Sequence, residues 1–244
     1  ITISLIVLMM SSFLEKKFWL SGVLIALLLS ATSILFPYAI SQFSDTLFAC
    51  FIVLPFIVLN HLPKTQNFIS LLLIGFLAAT CAWIKNEGLM FFAIFSFCFT
   101  IKYFRERKII GTYLLGALFP ILVFALFKIF FSTSTDLLNA NSNLSEKLMD
   151  FSRYAYIINF ASDYLLQNSI ALLCLLVIVL FITRRFYISF GFIVIALLFL
   201  SYLAVYVISP HGLQWHLSTS FDRLIHQILP ALMYLSFYSV SSKL

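Results

Sequence analysis

Ile84-Lys85-Asn86-Glu87-Gly88 breaks what would otherwise be one long apolar stretch into runs 68–84 and 89–101. A connection this short cannot hold a solvated domain, so Lys85 and Glu87 stand either at a membrane surface or in a polar cavity between helices. Ionisable groups in such places are costly to keep, and function is the default reason for keeping them. An interfacial hairpin whose Lys and Glu snorkel into headgroups would account for the same spacing.

Composition places the rest of the chain around this break. Hydrophobic residues make up 63% of the 244 and charged residues only 10%, where a soluble domain carries roughly 25% charged residues. With a mean hydropathy of +1.08, the chain reads as a polytopic membrane protein. The 29 Phe and 11 Tyr suit lipid-facing helices, and only 7 Gly argue against small-residue packing as the main cohesive device. No alternating ten-residue strand pattern suggests a β-barrel. The net charge of +6 follows the membrane flanks and implies no nucleic-acid partner. Cys50, Cys81, Cys98 and Cys174 all lie in apolar runs without CxxC pairing, which predicts buried free thiols.

Apolar runs occupy 1–13, 18–39, 46–59, 68–84, 89–101, 109–131, 165–183, 186–208 and 224–240. A helical span takes about twenty residues, so the shorter runs need flanking polar residues to complete them. The expected fold is all-α: one transmembrane domain over 1–244, a helical bundle of about nine spans. Pro55, Pro120 and Pro230 fall within spans and are expected to bend them, opening room between helices. Ile1 stands inside an apolar run with neither Met nor a signal-peptide n-region, so an upstream part is expected.

Orientation follows from Lys and Arg. Alternate connections carry Lys16 and Lys17, Lys64, Lys102 to Lys108, Arg184 and Arg185, and Lys243; the opposite set carries Lys85, Lys147, Arg153 and Arg223, with Lys128 inside a span. The positive-inside rule makes the first set cytoplasmic, and the C-terminus with it, in an integral, multi-pass cell or inner-membrane protein. Asp45, Lys85-Asn86-Glu87, His211, His216, Asp222, Arg223 and His226 then all face outward. The loop 132–164 is extracytoplasmic as well. Within it Asn143 and Glu146 form a capping-box pattern, and Leu144, Leu148, Phe151, Ala155 and Ile158 recur at helical spacing. One amphipathic helix on the outer surface is expected there, serving as a connector or as a lid. Asn143-Leu144-Ser145 also fits a glycosylation acceptor pattern.

Near the end, Ser209 to Arg223 precede a helix that enters the membrane. Asp222 suits the positive end of that helix, Asp222 and His226 share a face, and so do Arg223 and Gln227. The three histidines and the aspartate match no compact zinc spacing, so no metal ligand is assigned. Arg223 is suited to bidentate contact with phosphate oxygens, or to an ion pair with Asp222 or Glu87.

Three segments resemble the polytopic glycosyltransferases of the GT-C class, the mannosyltransferase-like and aminoarabinose-transferase-like enzymes. Ser44-Asp45-Thr46-Leu47-Phe48-Ala49 is similar to that group's "ADLPLA" segment, and Ile84-Lys85-Asn86-Glu87-Gly88-Leu89 to its "TKNEGL" turn. Trp215-His216-Leu217 with Ser220, Asp222, Arg223, Leu224 and Pro230 is similar to its terminal "WHL…S…DRL…P" pattern. Gln42-Phe43-Ser44 departs from the Gly-Tyr-Ala that often stands there. The resemblance implies sugar transfer from a polyprenyl-phosphate-linked donor to a lipid, glycan or protein acceptor at the extracytoplasmic face. It makes Asp45 and Glu87 the catalytic candidates, orienting acceptor or cation. Lys85, Asn86, His216, Asp222, Arg223 and His226 become the substrate-binding set, with Lys85 and Arg223 on phosphate and the two histidines on sugar hydroxyls. A divalent cation stays open as cofactor, and the principal catalytic acid is expected in an upstream outer loop. A transporter or lipid flippase, and a non-catalytic membrane scaffold, remain alternatives.

Overall fold

A computed structural model of the chain describes residues 44–61, 67–131, 144–168 and 189–241. The runs at 1–13 and 18–39, most of 165–183, the Asn143 cap and Cys174 lie outside the described residues. Among the described residues every regular element is helical: α1 (Asp45–Asn60), α2 (Phe68–Ile84), α3 (Asn86–Lys102), α4 (Arg107–Phe131), α5 (Leu144–Met149), α6 (Phe151–Asn168), α7 (Phe190–Ile208) and α8 (Leu213–Ser241). The all-α class is therefore observed. Two of these helices, α4 and α7, are long and apolar enough to cross a membrane, and α1 and α2 are shorter apolar helices.

The break at Lys85 is tighter than a three-residue turn. Lys85 alone is extended, at φ −157° and ψ 156°, and α3 begins at Asn86. Gly88 allows this, because a Cβ there would run into the Cys81 carbonyl of α2. The same device draws α2 against α4. A Cβ on Gly75 would strike the Tyr113 carbonyl, and one on Gly116 the Leu72 carbonyl. Gly75, Gly88 and Gly116 thus sit where helix backbones meet, so close small-residue packing contributes more than the number of glycines suggests.

Around that pair, α1 packs between α2 and α8, while α3 lies against α2 and α7, and α7 against α8. Aromatic rings fill the space between them. Phe56 of α1 meets Phe95 of α3 at 5.5 Å between centroids, Phe95 meets Phe190 of α7 edge-on at 5.3 Å, and Phe99 stacks on Tyr113 of α4 at 4.4 Å. Tyr113 is fully buried, and its hydroxyl is satisfied by Ser96 Oγ at 2.6 Å. The outer side of α4 is the reverse: Leu114, Leu115, Leu118, Phe119, Leu122 and Leu126 are all exposed. A contiguous apolar surface of this kind is stable against lipid or another apolar face, not against water.

The expected outer amphipathic helix is divided in two at Asp150. Its carboxylate accepts the Ser152 backbone N–H at 3.0 Å and the Ser152 hydroxyl at 2.6 Å, which starts α6 afresh. Leu144, Leu148, Phe151, Ala155 and Ile158 point away from the bundle. The inward face of α6 is Ile157 and Ala161, both buried, with Phe160 and Tyr164 edge-on to Phe221 of α8 at 5.7 and 5.2 Å. Lys147 and Arg153 then bind the last carbonyls of α7, donating to Ser209 O at 3.1 Å and Tyr206 O at 3.3 Å. Cations suit the negative end of a helix, so the α5–α6 pair is pinned to the bundle.

Candidate functional site

Asp45, in the first turn of α1, is completely buried, yet it is the residue around which the polar groups gather. The Lys85 ammonium donates to Oδ1, and Gln227 Nε2 donates to the same oxygen at 2.5 Å. Arg223 Nε donates to Oδ2 at 3.0 Å. Tyr202 of α7 fixes Gln227 in turn, its hydroxyl donating to Oε1 at 2.9 Å. Lys85 also pairs with Glu87 Oε1 at 3.2 Å. The carboxylate at the start of α1 thus receives the α2–α3 break and α8 directly, and α7 supports it through Gln227.

The reason they can meet lies in the directions of the helices. α1 begins, α2 ends and α7 ends at the same end of the bundle, while Lys102, at the far end of α3, lies over the ring of Phe190, where α7 begins. Arg223 and Gln227, four residues apart on α8, present one face to α1, as their spacing predicted. Burying a carboxylate is costly unless cations and further donors compensate it, and here two cations and an amide do. The side chains around it open progressively toward solvent: Asp45 0% exposed, Lys85 16%, Glu87 28% and Arg223 31%.

The remaining candidates divide. His226, buried one turn below Arg223, has Nε2 3.1 Å from Thr46 Oγ1, next to Asp45 in the chain. Asn86 Oδ1 accepts from Lys128 at 3.1 Å, which brings the one lysine expected within a span to the mouth of the α2–α3 break. Asp222 accepts the backbone N–H of Arg223 at 2.8 Å. His216 belongs to a second cluster. Its Nδ1 lies 2.7 Å from Ser209 Oγ, and its ring stands edge-on to Tyr206 at 4.8 Å. Tyr206 itself reaches Ser220 Oγ at 2.8 Å. Burial, and then the neighbouring His211, hold the His216 pKa below its ordinary 6.5.

Arg223 pairs with Asp45, a partner that sequence spacing did not suggest. Gln227, Tyr202 and Thr46 carry no charge and were not singled out as site residues; the one available signal was the four-residue spacing of Arg223 and Gln227. Cys50, Cys81 and Cys98 are free and buried, as expected. Among the described residues no three His, Cys, Asp or Glu side chains gather as metal ligands would. Chemically, the arrangement offers two cations held by a buried anchor and themselves only partly buried, the residue types that bind anionic oxygens. Compared with protein-family models, curated proteins and solved structures, the chain shows no match.

Proposed function

We propose that this chain is the membrane part of a GT-C-like glycosyltransferase that moves a sugar from a polyprenyl-phosphate donor to an acceptor at the extracytoplasmic face. In this reading the protein is a multi-pass bundle of about nine spans, with its C-terminus in the cytoplasm. The observation that carries it is the meeting of Lys85 and Arg223 on Asp45, with both cations still partly exposed. A departing phosphate gains negative charge as the anomeric bond breaks, and cations fixed in advance stabilise that charge without reorganising. Asp45, with both oxygens engaged, acts as the anchor that fixes them. Glu87, the partly exposed carboxylate beside Lys85, is the one that would orient an acceptor hydroxyl. An apolar outer surface such as that of α4 fits a donor whose tail stays in lipid.

The test is transfer from labelled polyprenyl-phosphate sugars by the intact protein in detergent. Arg223→Ala is expected to lower transfer by roughly 100-fold or more while membrane insertion is retained. Unimpaired transfer by that variant overturns the proposal.

A further inference from the structure

Lys85 stands between two carboxylates of very different burial. Asp45 is fully buried and held by three donors, whereas Glu87 is 28% exposed and pairs with Lys85 from the first turn of α3. An ammonium has three N–H donors, and Asp45 and Glu87 take two of them. The charges of Asp45, Glu87, Lys85 and Arg223 cancel, so an anion approaching Lys85 meets as much carboxylate as cation.

We propose that Glu87 is a resident counter-ion, which the phosphate of the donor lipid displaces from Lys85, and that its release makes the carboxylate available to the acceptor only after the donor has bound. This rests on the reading of Lys85 and Arg223 as the phosphate holders. The exchange is electrostatically balanced: one anionic oxygen leaves the ammonium as another arrives, and the Asp45 anchor does not move. The contact that yields is the exposed one, because a partly solvated ion pair is worth little whereas breaking a buried pair is strongly unfavourable. The position of Glu87 ties the order of addition to the site itself, donor before acceptor.

The experiment measures binding of a polyprenyl monophosphate, without sugar, to the intact protein in detergent, for the wild type, Glu87→Gln, Lys85→Ala, Arg223→Ala and the Glu87→Gln/Lys85→Ala double variant. Glu87→Gln keeps the shape of the side chain, and a thermal unfolding midpoint for each protein verifies folding. The expected result is binding tightened roughly threefold to fivefold by Glu87→Gln when Lys85 is present, with no gain in the Lys85→Ala background. If Lys85→Ala weakens binding but Glu87→Gln leaves it unchanged or weaker, the counter-ion role is overturned while the phosphate site stands. If neither Lys85→Ala nor Arg223→Ala alters binding, the phosphate reading itself falls, and this inference with it.

Discussion

Asp45 illustrates how little a single residue reveals before its neighbours are known. In the sequence it is one acid at the head of an apolar run; in the fold it is buried and receives Lys85, Arg223 and Gln227. The charged members of the site were legible because an ionisable residue beside an apolar run stands out at once. Gln227, Tyr202 and Thr46 were not, since an isolated amide or hydroxyl within a span is unremarkable until something is placed next to it. His216 shows a residue whose surroundings set its charge. It lies outside the apolar run 224–240, and its lowered pKa, caused by burial and then by His211, favours the neutral ring in the folded protein. The unfolded chain takes up the proton more readily, so this contribution to stability is complete above about 6.5 and is lost as pH falls through the lower folded value. The unfolding midpoint is expected to fall between pH 7 and pH 5, and His216→Gln should flatten that dependence; an unchanged pH profile would remove His216 as its source.

Individual helices depend on where their backbones touch. The α2–α3 break is sharp because Gly88 lies on the Cys81 carbonyl, whereas Gly111, in the first turns of α4, has open space where a side chain would go. Gly88→Ala must therefore push α3 off α2 and displace Lys85 and Glu87, at a cost of about 1–3 kcal/mol from overpacking. Gly111→Ala should instead raise stability by roughly 0.5–1 kcal/mol, from better helix propensity alone. Reversible unfolding of both variants in detergent checks the contrast, and equal effects would mean that the close approach at Gly88 does not matter. The division between α5 and α6 was not evident from periodicity, which runs unbroken from Leu144 to Ile158. Asp150 makes it, because a carboxylate that caps the next helix competes with continuation of the previous one.

Across the whole molecule, Lys85 and Lys102 lie at opposite ends of α3, a helix of 17 residues and so about 25 Å long. Lys147 joins the Lys85 end through the last carbonyl after α7. If the bundle crosses a membrane as proposed, an impermeant thiol reagent added to intact cells should label Ser145→Cys and not Phe104→Cys, in a background without the four native cysteines. Equal labelling of the two would refute that orientation. Composition and the lengths of the apolar runs determined by themselves that the chain is helical and that its ionisable residues collect at the ends of runs, because burying unpaired charge or unsatisfied backbone in an apolar interior is too costly. Only the tertiary structure decided which charges pair. Asp45, Lys85 and Arg223 are brought together by the order in which antiparallel helices pack, and packing depends on the shape of whole faces, on Gly75 against Tyr113 and Gly116 against Leu72, which no local pattern encodes.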